Sequence, residues 1–270
     1  MQKKKITIAD LSELKKNFST KGLNTVCQSA KCPNIGECFK RRAATFLILG
    51  KNCTRGCSFC GINKQNPEKV NAFEPQKIAQ AVKELGLSYC VITSVTRDDL
   101  PDGGAKHFAD TVTEIRKLNP DTAIETLAPD FKGEQSSIDI VLNAKPDVFS
   151  HNIETAPSLY RKARSGADYG RSLAVLKYAK SKDFKTKTGI MLGLGEKEKE
   201  VFDVINDIRR LNVDILTVGQ YLAPTKKHHP VIKEYAPQEF KKIEDYALSL
   251  GIKRVVCGRY VRSSYEASNS

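Results

Sequence analysis

Residues 45–60 read TFLILGKNCTRGCSFC, and this stretch decides the fold class. Its first part, residues 45–50, is an apolar, β-rich run that ends in glycine and is far too short to span a bilayer. Three cysteines follow at the spacing C-x3-C-x2-C. A strand that runs into a loop of reactive residues is typical of α/β proteins, where the loops after parallel strands carry the functional groups.

Outward from this stretch, predicted strands and helices alternate along the chain. Strands are predicted over residues 45–50, 89–95, 123–127, 147–153, 186–192 and 214–222, with one further short strand over 254–257. Helices are predicted over residues 75–86, 107–118, 136–143, 172–181, 197–211 and 237–250, and a short one over 9–17. Six strand–helix units imply parallel strands with right-handed crossovers.

The fold class that follows is α/β, a partial (βα)6 TIM-type barrel. An open doubly wound sheet is disfavoured because no dinucleotide-binding glycine pattern follows the first strand. We expect an N-terminal extension over residues 1–40, the barrel over residues 41–252 and a C-terminal tail over residues 253–270. Polar residues follow the predicted strands at 53–60, 96–104, 154, 193–196 and 220–227, which is where such barrels place their reactive groups.

Charge and composition limit the classes of partner. The chain carries 44 Lys and Arg against 31 Asp and Glu, a net charge of +13. Either this excess is a solvated surface, or it serves an acidic partner. Nucleic acid is disfavoured because aromatic residues make up only 7 %, Trp is absent, and no zinc-finger, helix–turn–helix or RNP pattern occurs. Without a secretory signal or transit peptide, we expect a cytoplasmic protein that does not bind membranes.

Six of the eight cysteines lie between residues 27 and 60, which indicates metal binding in a reducing compartment. Cys53, Cys57 and Cys60 can hold one face of a four-iron cluster and leave one iron open to a substrate. The remaining triad has the spacing C-x4-C-x5-C and predicts a second cluster with three protein ligands, Cys27, Cys32 and Cys38. A structural zinc site is the alternative for each triad, although zinc favours C-x2-C pairs and a fourth protein ligand.

The chain resembles the lipoyl synthase family of the radical S-adenosylmethionine superfamily. The aromatic Phe59 just before the last cysteine of C-x3-C-x2-C is typical of the superfamily. The motifs that carry the family resemblance are CPNIGEC (32–38), SVTRDDLPDGG (94–104), HNIET (151–155), GIMLGLGE (189–196), GQYL (219–222) and RSSY (262–265). They run in family order over nearly the whole chain.

The resemblance implies a radical enzyme with two 4Fe-4S clusters and S-adenosylmethionine as cofactors. The open iron would hold the methionine end, and reductive cleavage would give a deoxyadenosyl radical that abstracts hydrogen. Two sulfur atoms from the auxiliary cluster would enter a protein-bound octanoyl-lysine at carbons six and eight. The implied partners are octanoylated lipoyl carrier proteins (2-oxoacid dehydrogenase acyltransferases and the glycine-cleavage H protein), an electron donor and a protein that repairs the spent cluster.

The resemblance also implies site residues. A serine of the RSSY motif, Ser264 or Ser263 with Ser264 favoured, would complete the auxiliary cluster. The backbone around Phe59 would lie near the adenine, and Gly103 and Gly104 would approach the methionyl end. From the residues themselves, Asn152 and Glu154 are predicted to share one face of the fourth strand and bind the ribose. Arg164 is either a partner of the cofactor carboxylate or a surface helix residue.

No side-chain acid or base is predicted, because saturated C–H bonds offer no acidity to exploit. His151, His228 and His229 therefore receive no catalytic role. Cys90 is predicted to be a core residue, and Cys257 has no predicted role. Another sulfur-inserting radical enzyme, such as a methylthiotransferase or a biotin-forming enzyme, remains an alternative. The C-x4-C-x5-C triad and the RSSY tail disfavour it. A two-cluster electron carrier would not need polar loops after six strands.

Overall fold

A computed structural model describes residues 22–26 and 34–264 of the chain. In these ranges, eight strands form one sheet in the order in which they occur along the chain. The strands are β1 (Asn24–Thr25), β2 (Ala43–Ile48), β3 (Tyr89–Ser94), β4 (Ala123–Leu127), β5 (Val148–Ser150), β6 (Thr186–Leu192), β7 (Ile215–Gln220) and β8 (Arg254–Gly258).

The helices lie between the strands. They are α1 (Ile35–Lys40), α2 (Glu74–Glu84), α3 (Ala105–Leu118), α4 (Gln135–Asn143), α5 (Tyr160–Ala163), α6 (Tyr169–Ser181), α7 (Glu198–Arg210) and α8 (Pro237–Ser249), with short 3-10 helices at Phe131–Gly133 and Pro157–Leu159. Among the described helices, none is long and apolar enough to cross a membrane. The predicted helix over residues 9–17 lies outside the described residues.

Each strand from β2 to β8 pairs in parallel with the next, and β1 adds to β2 in the antiparallel direction. Because β1 and β8 are the edges of the sheet, the barrel is partial, as the alternation of strands and helices predicted. The strand predicted over 254–257 is β8, so residues that we assigned to the tail belong to the sheet.

Apolar side chains on the outer face of the sheet pack against the helices in two adjoining cores. In the first, the fully buried Phe46, Phe108 and Phe149 join β2–β5 to α2, α3 and α4. In the second, residues such as Ile205 and Leu216 join β6–β8 to α7 and α8. These cores hold the carboxyl ends of all the parallel strands at one rim, where the cysteine loop lies.

Four strands end earlier than the sequence predicts. Those expected over 89–95 and 214–222 end at Ser94 and Gln220, and the other two are followed by left-handed residues. The first strand was expected over 45–50 but ends at Ile48, because Leu49 (φ 68°) and Gly50 (φ 97°) adopt left-handed conformations that leave the ladder. The fourth was expected over 147–153 but is β5, which ends at Ser150. Beyond it, Glu154 (φ 69°) makes a single bridge to Ile190.

Candidate active site

The carboxyl ends of the first parallel strands surround a cavity of about 180 Å³, which we call the cysteine cavity. The triad Cys53, Cys57 and Cys60 lines it, with residues from the loops after β3, β4 and β5. Its walls include Arg55, Phe59, Ser94, Asp130, His151, Asn152, Glu154 and Arg164. The structure thus brings the C-x3-C-x2-C loop, which includes Phe59, together with three other residues that the sequence predicted for the site: Asn152, Glu154 and Arg164.

Burial controls the acidity of the thiols in this cavity. It raises the pKa of Cys57 to about 11, although the nearby Arg164 partly opposes the shift. It also raises the pKa of Cys60. A thiolate here needs a compensating positive charge, which metal coordination supplies, because a coordinating thiol is deprotonated outright. Within the described ranges, no three His, Cys, Asp or Glu side chains already converge on a site for a single metal ion.

Backbone hydrogen bonds from neighbouring loops fix the cysteine loop in place. The N–H of Thr54 donates to the carbonyl of Thr96 after β3, at 3.0 Å. The N–H of Ser58 donates to the carbonyl of Ala163 at 2.9 Å, and the carbonyl of Ser58 accepts from the N–H of His229 at 2.9 Å. The loop is therefore positioned by chain segments that follow three different strands.

Buried polar groups hold the left-handed turn at Leu49 that leads into this loop. The N–H of Leu49 donates to the Glu74 carboxylate at 2.9 Å, and His107 Nε2 lies 2.7 Å from the same oxygen. Arg97 Nη1 donates to the carbonyl of Leu49 at 3.1 Å. A strained residue persists only where its surroundings over-determine it, and here three side chains do so.

A network of four charged side chains ties the cysteine loop to the barrel. Arg55 donates from Nε and Nη2 to both oxygens of Asp98, at 2.7 and 2.9 Å, and from Nη2 to Asp130 at 2.6 Å. Arg171 Nε donates to the other Asp130 oxygen at 2.7 Å. Asp130 is fully buried; burial opposes its ionisation, but pairing with Arg55 prevails and holds its pKa well below the usual value. The network joins the loops after β2, β3 and β4 to α6.

Replacing Asp130 with Ala is expected to lower the free energy of unfolding by about 3 kcal/mol, because the buried side chain of Arg55 and the half-buried Arg171 lose the carboxylate that they share. Urea denaturation measures this loss. Asp110→Ala is the matched control, since its exposed pair with Lys106 contributes only about 0.3–0.5 kcal/mol. Equal losses for the two variants would contradict the role of the network.

Three polar atoms on the cavity wall are buried without a hydrogen-bond partner among the described residues. They are Ser94 Oγ, His151 Nε2 and Asn152 Oδ1. A buried polar group left unpaired costs about 1–3 kcal/mol, so a wall with three of them is suited to a polar ligand. S-adenosylmethionine carries hydroxyl and ammonium donors for such acceptors, and the three thiols suit an iron–sulfur cluster. The residues present therefore fit both groups.

His151 faces the cavity as a neutral acceptor. Its Nδ1 lies 2.9 Å from the carbonyl of Ala128, so Nδ1 carries the hydrogen and Nε2 keeps its lone pair. Burial, helped by the charge of Arg164, lowers the pKa of His151 to about 3. No sequence pattern assigned His151 to a ligand, whereas its buried, unpaired Nε2 on the cavity wall does so.

The low pKa of His151 predicts a pH-dependent stability. Between pH 6.5 and about pH 3 the unfolded chain binds the proton and the folded chain does not, so folding weakens as the pH falls through this window. In His151→Gln this contribution disappears, and its stability should fall less on acidification, by up to about 1.4 kcal/mol per pH unit. Urea unfolding of the cluster-free proteins between pH 4.5 and 7.5 measures the difference. Parallel curves for the two proteins would show that His151 is not held neutral.

Asn152 and Glu154 lie side by side, but strand alternation is not the cause. Asn152 Nδ2 donates to Glu154 Oε1 at 3.0 Å. Both residues lie beyond the end of β5, so the prediction that they end a strand is wrong. The left-handed Glu154 is instead held by its bridge to β6. Burial raises the pKa of Glu154, an effect that Arg164 partly offsets.

Arg164 is buried in the wall of the cavity, so the interpretation as a surface helix residue is wrong. It directly follows α5. Its Nη1 donates to Tyr160 Oη and Ser172 Oγ, each at 2.9 Å, and to the carbonyl of Ile153 at 3.4 Å. These bonds all use one nitrogen of the guanidinium, and among the described residues the other edge has no recorded hydrogen-bond partner.

Gly103 and Gly104 do not line the cysteine cavity. Both are left-handed (φ 62° and 90°) in the turn before α3, where Asp102 accepts from the N–H of Gly104 at 2.9 Å. A Cβ on Gly104 would lie 2.4 Å from Leu49 Cδ1, and one on Gly103 would lie 3.0 Å from the Phe131 ring. The close approach that we expected toward a cofactor is made to the protein's own apolar side chains.

A second cavity of about 170 Å³, the tail cavity, adjoins the first and shares Phe59, Asn152 and Glu154 with it. Its far wall is formed by residues 261–263, so Ser263 lines it, whereas Ser264 does not. This wall is linked to the N-terminal segment by Asn34 Nδ2, which donates to the carbonyl of Tyr260 at 2.6 Å. Cys38 lies one turn beyond Asn34, in α1. Cys27 and Cys32 lie outside the described residues.

Sequence reasoning missed Arg55, Asp98, Asp130 and Arg171 as members of the site. Arg55 lies inside the cysteine motif, and Asp130 follows the carboxyl end of β4, so the rule that places functional residues after strands could have identified both. Arg171 had no such signal, because it lies on α6 and reaches the network only through the fold. Cys257 lines neither cavity and packs against the second core.

Two solved structures have a fold similar to that of this chain. Streptococcus suis SuiB bound to its precursor peptide SuiA superposes with a TM-score of 0.63 over 93% of this chain and 53% of that chain, at 11% identity. Methylornithine synthase (PylB) superposes with a TM-score of 0.59 over 93% of this chain and 82% of that chain, at 14% identity. These likenesses concern the partial barrel alone.

Sequence comparisons identify the family. The sequence profile of the Radical SAM superfamily matches residues 47–208. The lipoyl synthase of Caldicellulosiruptor saccharolyticus is 52% identical over 98% of this chain and 92% of its own length. That of Caldanaerobacter subterraneus subsp. tengcongensis is 50% identical over 98% of this chain and 94% of its own. The chain belongs to the radical S-adenosylmethionine superfamily and, within it, to the lipoyl synthase family.

Proposed function

We propose that the chain inserts two sulfur atoms, at carbons six and eight, into the octanoyl-lysine of a lipoyl carrier protein. The observation that supports this best is the pair of adjoining cavities. One contains the three thiols and the other contains the C-terminal tail, and they share Phe59, Asn152 and Glu154. A radical made in the first cavity needs a sulfur source within reach, and the tail cavity lies beside it.

In the cysteine cavity, Cys53, Cys57 and Cys60 hold a 4Fe-4S cluster through three irons. With S-adenosylmethionine bound, this cluster supplies the one-electron cleavage that starts hydrogen abstraction. The hydrogen-bonded pair Asn152 and Glu154 binds the ribose hydroxyls. The unoccupied edge of Arg164 pairs with the carboxylate of the methionine end, and the backbone at Phe59 borders the adenine.

The auxiliary 4Fe-4S cluster is the sulfur-donating substrate, held by Cys27, Cys32, Cys38 and a serine of the tail. The bond between Asn34 and Tyr260 supports this arrangement, because it joins segments 226 residues apart in sequence, close to Cys38 and to the serines. The three proposed units of the chain, residues 1–40, 41–252 and 253–270, would then meet at one site. We place the enzyme in the cytoplasm with an electron donor and a cluster-repair protein as partners.

An anaerobic assay tests the proposal. The reconstituted enzyme, a strong reductant, S-adenosylmethionine and an octanoylated carrier should yield deoxyadenosine and a carrier with two added sulfurs, read by mass spectrometry. Absence of deoxyadenosine would point to an electron carrier and refute the radical reaction. Deoxyadenosine with no sulfur on the carrier would refute the specific substrate and favour another sulfur-inserting enzyme, such as a methylthiotransferase.

A further inference from the structure

Three chain segments, one within the cysteine loop and two in contact with it, contain basic residues and no acidic residue. They are residues 57–64, 160–167 and 221–233, which read CSFCGINK, YRKARSGA and YLAPTKKHHPVIK. Six of their basic side chains are exposed, and one of them, Lys233, pairs with Glu239 at 2.6 Å. We call the other five the basic rim. It consists of Lys64, Arg161, Lys162, Lys226 and Lys227.

The segments of the rim meet at Ser58, inside the cysteine loop. Ser58 Oγ donates to the carbonyl of Lys162 at 3.2 Å, and its carbonyl accepts from the N–H of His229 at 2.9 Å. A hydroxyl-centred turn at Thr225 presents the third segment, since Lys227 N–H donates to Thr225 Oγ1 at 3.2 Å. The five cations therefore belong to three segments that meet at the cysteine loop, and not to one helix.

None of the five rim side chains makes an ion pair among the described residues. Several exposed lysines elsewhere do, for example Lys106 with Asp110 at 2.8 Å and Lys199 with Asp203 at 2.7 Å. Others, such as Lys177 and Lys185, are single charges without an ion pair in the described ranges. A cluster of like charges opposes folding through self-repulsion, so its presence at the entrance of a site calls for a partner of opposite charge.

An apolar side chain accompanies the rim. Ile232, at the end of the third segment, is 57 % exposed, and its N–H is fixed to the carbonyl of Gly193 at 2.8 Å. The rim segments present no large exposed aromatic side chain on which a base could stack, since Tyr160 and Tyr221 are buried and Phe59 is half-buried in the wall of the cysteine cavity. Charge around a fixed apolar residue is characteristic of a protein interface and not of a nucleic-acid surface.

We propose that the basic rim is the docking surface for an acidic protein domain that presents its acylated lysine to the cysteine cavity. This rests on the proposed function for the identity of the acyl group. The rim attracts the domain and orients it, while the lysine arm enters between the three segments. Electrostatic docking of this kind accelerates association and weakens as salt rises.

A pair of matched charge reversals tests the docking surface. Lys226→Glu/Lys227→Glu alters the rim, and Lys177→Glu/Lys185→Glu changes the net charge equally at exposed lysines on α6 and before β6. Equilibrium binding of an acidic, octanoylated lipoyl domain to the cluster-loaded full chain is measured, together with turnover of a short octanoyl-lysine peptide. The rim variant should bind the domain about tenfold or more weakly at low salt, and the control variant should bind it as the wild type does.

Turnover of the peptide should be the same in all three proteins, because the rim does not touch the reacting groups. Equal binding of the domain by the rim and control variants would overturn the proposal. So would rim-dependent binding of an RNA oligonucleotide with no binding of the domain. Because binding is measured directly, a domain that binds through the rim but gains no sulfur would refute the proposed function and leave the docking surface standing.

Discussion

Replacing Cys57 with Ser is expected to abolish deoxyadenosine formation, with a loss of about 10³-fold or more, because three thiolates are the minimum that holds a four-iron cluster with one iron open. A serine hydroxyl is a poorer ligand for iron than a thiolate. The surroundings of residue 57 do not compensate for the lost thiolate. Burial disfavours a negative charge there, and the positive charge of Arg164 only partly offsets this penalty. Product formation on the octanoylated carrier should be lost to the same extent.

Iron content distinguishes a lost cluster from a misfolded chain. The wild type should contain about eight irons per chain and Cys57→Ser about four. Cys257→Ser is the matched control, because Cys257 is also half-buried but packs against the second core and lines neither cavity. It should retain all the iron and full activity. Normal deoxyadenosine formation by Cys57→Ser would rule out the triad as the site of radical generation.

Removing the serine that we propose as a ligand of the auxiliary cluster is expected to separate the two halves of the reaction. The variant should still cleave S-adenosylmethionine in the cysteine cavity but lose sulfur insertion about 100-fold or more, because the sulfur source is no longer held correctly. Ser264 is the ligand that the sequence favours, whereas Ser263 is the one that lines the tail cavity. The two single variants, Ser263→Ala and Ser264→Ala, therefore serve as controls for each other.

Deoxyadenosine and lipoyl product are measured in the same reaction for both variants. We expect one variant to uncouple the two products and the other to behave as the wild type. A cysteine at the ligating position should restore the auxiliary cluster and part of the product, which a purely structural defect would not allow. Full lipoylation by both alanine variants would exclude the tail from the cluster.

Much of the fold follows from local patterns in the sequence. The strands at Ala123–Leu127 and Thr186–Leu192 occur where the apolar alternation predicts them. The errors at strand ends include Leu49, a left-handed residue directly after β2, and the segment from Ser150 to the left-handed Glu154. A left-handed non-glycine residue leaves no mark in a hydrophobic pattern, because tertiary contacts such as that of Leu49 with Glu74 stabilise it.

Some residues that the sequence predicts for the candidate site line the cysteine cavity, and others do not. Asn152 and Glu154 belong to the short motif HNIET, Arg164 follows it along the chain, and the structure places all three in the cysteine cavity. Gly103 and Gly104 belong to an equally clear motif, yet they pack against Leu49 and Phe131. A glycine in a motif indicates a close approach, but its sequence does not say which group approaches.

By itself, the sequence determined the alternation of strands and helices, the two cysteine triads and the chemistry to which they belong. The alternation and the triads depend on neighbours within about ten residues, so spacing expresses them, whereas their chemistry is what the resemblance to a known family implies. Only the tertiary structure decided that Arg55, Asp98, Asp130 and Arg171 form one network, that His151 faces the cavity as a neutral acceptor, and that the tail closes a second cavity. Each depends on burial and on the parallel sheet, which brings the ends of distant strands together at one rim.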